Sequence, residues 1–116
     1  MIILDSDFLV NAVKYKIDVI EKIKEEYPEL KIAVVDKTLD ELKRIDILDS
    51  KLALKLIEIK KIEVIKTNKD KIADDLIFDI VKEKDIVATQ DKEFKRRLKE
   101  KNIKVITIKQ KKYIEI

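Results

Sequence analysis

The 116-residue chain has no glycine, no cysteine, no histidine and only one proline. Each absence removes a class of chemistry. Without cysteine there are no disulfides, thiolate metal sites or cysteine nucleophiles. Without histidine the usual general base and the commonest zinc ligand are missing. Without glycine the phosphate loops of nucleotide-binding folds cannot form, because their backbones need glycine for tight turns and close approach. No apolar run reaches the ~20 residues that span a bilayer, and the opening MIILDSD lacks a signal-peptide layout. A cytoplasmic protein with no membrane partner is expected.

What remains is charge and aliphatic bulk, at 44% and 46% of the residues. The length suits one compact domain over 1–116 with a single real core. The net charge of +3 hides an asymmetry. Residues 92–112 hold ten Lys or Arg against two Glu, a local +8 that leaves −5 for the rest. An acidic body beside a basic segment suggests a metal site next to a polyanion track. The bland alternative is a solvated helix face and an edge strand guarded by lysines.

Hydrophobic patterning gives strands at Ile2–Leu4, Ile32–Val35, Ile62–Ile65, Ile86–Ala88 and 103–108, with a short sixth at 113–116. Helical spacing falls over 7–14, 17–27, 48–59, 70–83 and 92–101. A further helix is capped by Thr38, with Glu41 completing a capping box. Buried stripes are expected at Leu48, Leu52, Leu56 and Ile59, and at Ile72, Ala73, Leu76, Ile77 and Ile80. Strand–helix alternation predicts an α/β fold, a three-layer α/β/α domain on a central parallel sheet of four to five strands. Apolar positions on the first two helices, such as Ile17 and Ile20, fit either core or a homodimer contact.

Four acidic islands punctuate this frame: Asp5 in ILDSD, Glu41 in LDELKRI, Asp74–Asp75 in ADDLIFDI and Asp91 in VATQD. Asp5 and Asp91 each follow a buried strand, and ligands in such folds sit beyond the carboxyl ends of strands. Taken singly, each acid reads equally as a helix cap or favourable charge at a helix start. Together they can converge. If the first and fourth strands are neighbours, their ends lie ~5 Å apart. Carboxylates that close raise each other's pKa unless a cation neutralises them. Hard oxygen donors favour Mg²⁺ or Mn²⁺, as one or two ions, over zinc. The basic run starting at Lys92, with Lys95, Arg96 and Arg97, fits an RNA backbone, although Arg96 and Arg97 cannot face the same way on a helix.

These islands resemble the motifs of PIN-domain nucleases. LDSDFL is similar to the opening LDTNxL motif, LDELKRI to the glutamate motif, ADDLI to the third acidic motif and VATQDKEFKRRL to the terminal TxD motif. The segments from ADD to the final ITIKQKKYIEI resemble most the PIN proteins of ribosomal-RNA processing, with VapC-type toxins next. The resemblance assigns Asp5, Glu41, Asp74 and Asp91 to the catalytic site. It makes Asp5, Asp74, Asp75 and Asp91 the metal ligands, with Asp75 able to replace or assist Asp74. Ser6 and Thr89 match its supporting positions. Asp7 departs from the family, which often has Asn there. The implied activity is metal-dependent endoribonucleolysis leaving 5′-phosphate and 3′-hydroxyl ends, with RNA as substrate and an antitoxin or a ribosome-assembly protein as partner. The competing readings are a toxin ribonuclease, a non-catalytic RNA-binding module and, more remotely, a receiver-like phosphoacceptor domain.

Overall fold

The computed structural model describes all residues, 1–116. Three fully buried tripeptide or tetrapeptide runs form the middle of the sheet: β1 (Ile2–Leu4), β2 (Ile32–Val35) and β4 (Ile86–Ala88). Being apolar on both faces, they suit strands covered by helices on each side. The other strands are β3 (Glu63–Ile65), β5 (Lys104–Lys109) and β6 (Tyr113–Glu115). The order across the sheet is β3-β2-β1-β4-β5-β6. The first five of these strands in chain order run parallel, as expected of the central sheet, and the short sixth strand, β6, is antiparallel to β5.

Alternating side chains divide the core in two. Ile2, Leu4, Ile32, Val34, Ile86 and Ala88 face a cluster with α1 (Ser6–Lys14), α2 (Val19–Glu26), α3 (Asp36–Ile45) and α4 (Leu48–Ile59). Ile3, Val35 and Val87 face the smaller cluster beneath α5 (Ala73–Ile80) and α6 (Lys92–Glu100). This is a three-layer α/β/α domain. No helix is long and apolar enough to cross a membrane.

Several local expectations fail for identifiable reasons. Thr38 does not cap α3. The helix begins two residues earlier, Val35 stands at the N-cap, and Thr38 is buried with its hydroxyl unpaired. On α4 the buried side is Ser50, Ala53 and Ile57, while Leu48 (70% exposed), Leu52 and Ile59 face outward. Ile72 and Ile80 also lie exposed at the two ends of α5. Ile20 is core and Ile17 packs against it, so the exposed apolar surface lies on α4 and not on the first two helices.

The missing glycines leave a clear mark. Seven non-glycine residues adopt positive φ. Three of them, Lys16, Lys61 and Asn102, close α1, α4 and α6 with the paired hydrogen bonds of a Schellman turn. Around Lys61 these are Lys61 N–H to Glu58 O (3.1 Å) and Ile62 N–H to Ile57 O (3.0 Å). The residue after each is an isoleucine: Ile17, Ile62 and Ile103.

Candidate active site

In chain order the strands add outward from β1 to β2 and β3, then return to the other side of β1 at β4. The order therefore reverses between β1 and β4, and a crevice opens beyond their carboxyl ends. β1 and β4 pair in register, Leu4 opposite Ala88, so the residues that follow them emerge side by side. A cleft of about 330 Å³ lies there, lined by Asp5, Ser6, Asp7, Glu41, Arg44, Ile45, Ile72, Asp74 and Asp91.

Asp5 is both a cap and a cleft residue. One carboxylate oxygen accepts from Ser6 N–H at 2.9 Å, the other from the Thr89 hydroxyl at 2.8 Å. Burial drives its pKa from 3.8 to about 7; the Asp7 charge adds to the rise, and the Thr89 and Ser6 hydrogen bonds oppose it. Asp91 likewise caps α6 through Phe94 N–H at 2.9 Å. Thr89 joins the two: its hydroxyl donates to Asp5, and its oxygen accepts from Asp91 N–H at 3.2 Å. Capping and site roles coincide because a strand-to-helix turn puts the cap at the strand's carboxyl end.

Glu41 comes from α3. One of its oxygens accepts from the Ser6 hydroxyl at 3.2 Å and the other from Ala73 N–H at 3.1 Å. It thus ties the starts of α1 and α5 together and satisfies an otherwise orphan donor at a helix N-terminus. Asp74, the next residue of α5, lines the cleft; its pKa is raised by burial first and the neighbouring Asp75 second, with Asp91 also contributing. Asp75 is not brought to the cleft. It pairs with Arg97 at 2.8 Å on the face where α5 meets α6.

Asp7 belongs to the constellation. It accepts from Gln90 N–H at 3.2 Å and from the Thr89 hydroxyl at 3.3 Å. Burial raises its pKa, backbone hydrogen bonds from Gln90 and Phe8 pull it down, and Asp91 adds to the rise. Gln90 fixes the turn that carries Asp91: its carbonyl oxygen accepts from Ile108 N–H (2.6 Å) and the Thr107 hydroxyl (2.8 Å), and its amide donates to Ile108 O (3.1 Å). Neither Gln90 nor Arg44 carries a signal in the linear chain, since both earn their place through tertiary contacts. Asp7 carries a faint one, two residues beyond Asp5.

The donor set consists of carboxylates and hydroxyls, which suits hard cations. Burial is the first cause of the raised pKa of Asp5, Asp7 and Asp74, and neighbouring carboxylates add to each rise. The acids nevertheless do not make a closed cage, for no three stand close enough to hold one ion between them. Mg²⁺ does not require such a cage, because it keeps several waters and takes one or two carboxylates directly.

A second, basic groove of about 570 Å³ runs between α6 and β5, lined by Lys92, Lys95, Arg96, Lys99, Lys104 and Lys109 among others. Lys95 has a lowered pKa, from burial and then from Lys109 and Lys99, with Asp7 partly offsetting them. Lys92, which lines the groove, directly follows Asp91, which lines the acidic cleft, so the two adjoin at the start of α6. Arg97 is not part of the groove: it is held by Asp75 and lies over the Phe78 ring at 4.6 Å.

Known proteins share the fold and much of the sequence. Ribonuclease VapC4 of Methanocaldococcus jannaschii is 35% identical, over 99% of this chain and 95% of that protein. The structure of the PIN domain endonuclease Utp24 superposes with a TM-score of 0.84 at 26% identity, covering 97% of this chain and 87% of that one. Residues 2–111 match the model of the PIN-like domain. The chain belongs to the PIN-like domain family.

Proposed function

We propose that this protein is a metal-dependent endoribonuclease whose reaction centre is the cleft of Asp5, Asp7, Glu41, Asp74 and Asp91. The observation that carries the reading is the juxtaposition of an acidic cleft, at the switch point of the sheet, with a basic groove beside it. A polyanion bound only by lysines would not need buried carboxylates; a cation site alone would not need the groove. The relatives named as a ribonuclease and an endonuclease support the same class of reaction.

Asp5, Asp74 and Asp91 would bind Mg²⁺ or Mn²⁺ one or two at a time, the rest acting through the ion's retained waters, with Asp7 adding negative charge. The bound ion supplies acidified water and neutralises charge at phosphorus. The protein's own contributions are positional. Thr89 fixes the Asp5 carboxylate and the Asp91 backbone in one contact. Glu41 holds the start of α5, and hence Asp74, against α1. Lys92, Lys95 and Lys99 offer positive charge to the RNA backbone along α6, while Arg96 on the same wall is paired with Glu93 and Glu100; this gives salt-sensitive and largely sequence-independent affinity.

The test is cleavage of single-stranded and structured RNA with Mg²⁺ or Mn²⁺, comparing wild type with Asp5→Asn and Asp91→Asn at matched folding. A loss of at least about 100-fold is expected in each variant. Equal rates would refute the reading, and salt-dependent binding without cleavage would leave an RNA-binding module instead. For the biological role we propose ribosomal-RNA processing, on the resemblance of the segments from ADD to ITIKQKKYIEI to PIN proteins of that process. The whole-length match to VapC4 favours a second reading, a toxin ribonuclease restrained by an antitoxin. Growth arrest on expression, relieved by a neighbouring gene product, separates the two.

A further inference from the structure

The chain has three arginines. Two are committed: Arg96 to Glu93 and Glu100 along its own helix, and Arg97 to Asp75 and Phe78. Arg44 alone has no ion-pair partner, although it lines a cleft with Asp5, Asp7, Glu41, Asp74 and Asp91.

The reason is local. On α3 the acids three and four residues before Arg44 are Glu41 and Asp40, the spacings at which a helix pairs opposite charges. Asp40 is taken by Lys69 at 3.0 Å. Both oxygens of Glu41 are taken by Ser6 and Ala73. Asp46, just beyond the helix, pairs with Lys51 at 3.4 Å. Every acid that the sequence offers nearby is engaged elsewhere. The guanidinium is left as the one cation on the wall of the acidic cleft.

Its position completes a path. α3 packs on one face of the sheet and α6 on the other, and the cleft opens between them at the ends of β1 and β4. The lysine-lined groove lies on the α6 side. We infer that Arg44 is a substrate-binding residue that grips a backbone phosphate on the α3 lip, so that the RNA strand is held on both sides of the cleft. A planar guanidinium presents paired donors that match two phosphate oxygens at once, which a lysine cannot do. With Arg44 on one lip and Lys92, Lys95 and Lys99 on the other, the strand crosses the sheet edge directly over the carboxylates.

This inference rests on the reading of the cleft as an RNA-cleaving site, and its test separates the two. Arg44→Ala and Arg44→Lys are compared with wild type on a single-stranded RNA oligonucleotide with Mg²⁺. The expected result for Arg44→Ala is a KM raised roughly 10-fold with kcat within about 3-fold, and partial recovery in Arg44→Lys. In parallel, equilibrium binding of the same oligonucleotide is titrated with salt in an Asp5→Asn background, where removing one phosphate contact lowers the slope of log K against log salt by about 0.7. Arg44 is exposed, so circular dichroism should show an unchanged fold. An unchanged KM and salt slope would overturn the assignment and give the α3 lip to a protein partner. If wild type binds RNA without cutting it, the nuclease reading fails while the salt slope still decides Arg44. Absence of both binding and cleavage would defeat the two together.

Discussion

Replacing Asp5 by Asn should make the metal-free protein more stable while destroying its activity. The carboxyl has a pKa of about 7 in the native state against 3.8 ordinarily. Its native value lies above the unfolded one, so the stability contributed by the protonated form is complete below pH 3.8. It is lost as pH rises to about 7. Each pH unit in that window is worth about 1.4 kcal/mol, so wild type at pH 8 forgoes at most about 4 kcal/mol relative to a neutral side chain. At pH 5 only roughly 1.5 kcal/mol has been lost. Asparagine imitates the protonated acid: its oxygen can accept from Ser6 N–H, while the Thr89 hydroxyl, now offered an amide, can turn its proton to Asp7 at 3.3 Å. In urea or thermal unfolding with EDTA, the variant should therefore gain more at pH 8 than at pH 5, by about 2–3 kcal/mol, or roughly 10 °C in Tm. Saturating Mg²⁺ should stabilise wild type and not the variant. A stability difference that is absent at pH 8, or the same at both pH values, would refute the account of Asp5 as a carboxyl strained by burial and by Asp7.

Three further outcomes are expected. Asp74→Asn should lower kcat by about 100-fold or more, whereas Asp75→Asn should keep most activity and cost no more than about 1 kcal/mol, since it loses only a partly exposed ion pair with Arg97. Comparative RNA cleavage and urea melts of the two variants check this. Gln90→Ala removes three hydrogen bonds to β5 and should cost about 2–3 kcal/mol in chemical denaturation, with kcat falling more than KM rises as the Asp91 turn loosens. Lys61→Gly, at a helix end with φ of 54°, should raise stability by about 0.5–1 kcal/mol with cleavage unchanged, read from the shift in urea midpoint.

Strands β1, β2 and β4 were legible in the linear chain because an unbroken apolar tripeptide or tetrapeptide between polar residues has few other uses. The pairing of Asp5 with Asp91 followed from the same runs once β1 and β4 were taken as neighbours. The α4 stripe was misread because this helix carries leucine or isoleucine on more than one side. Spacing alone then favours the large residues, whereas packing against α1 chose the small Ser50 and Ala53. Thr38 imitates a cap, yet Asp36 opens α3 and reaches across to Thr67, whose hydroxyl and N–H it accepts at 2.6 and 2.9 Å. No local pattern announces such a contact between residues 31 positions apart. The same limit applies to Asp74 and Asp75: only the position of Arg97 distinguishes them.

The bond between Thr89 and Asp5 joins residues 84 positions apart. The cleft therefore needs the first strand and the fourth to be present together, and Gln90 needs β5 as well. A ribosome making this chain delivers Asp5 well before the β4–α6 turn, whose Thr89 lies 84 positions later. A nascent chain lacking that turn holds Asp5, Asp7, Glu41 and Asp74 but not Asp91, and cannot assemble the site. The topology thus sets an order of assembly: the site appears only once β4 has joined β1.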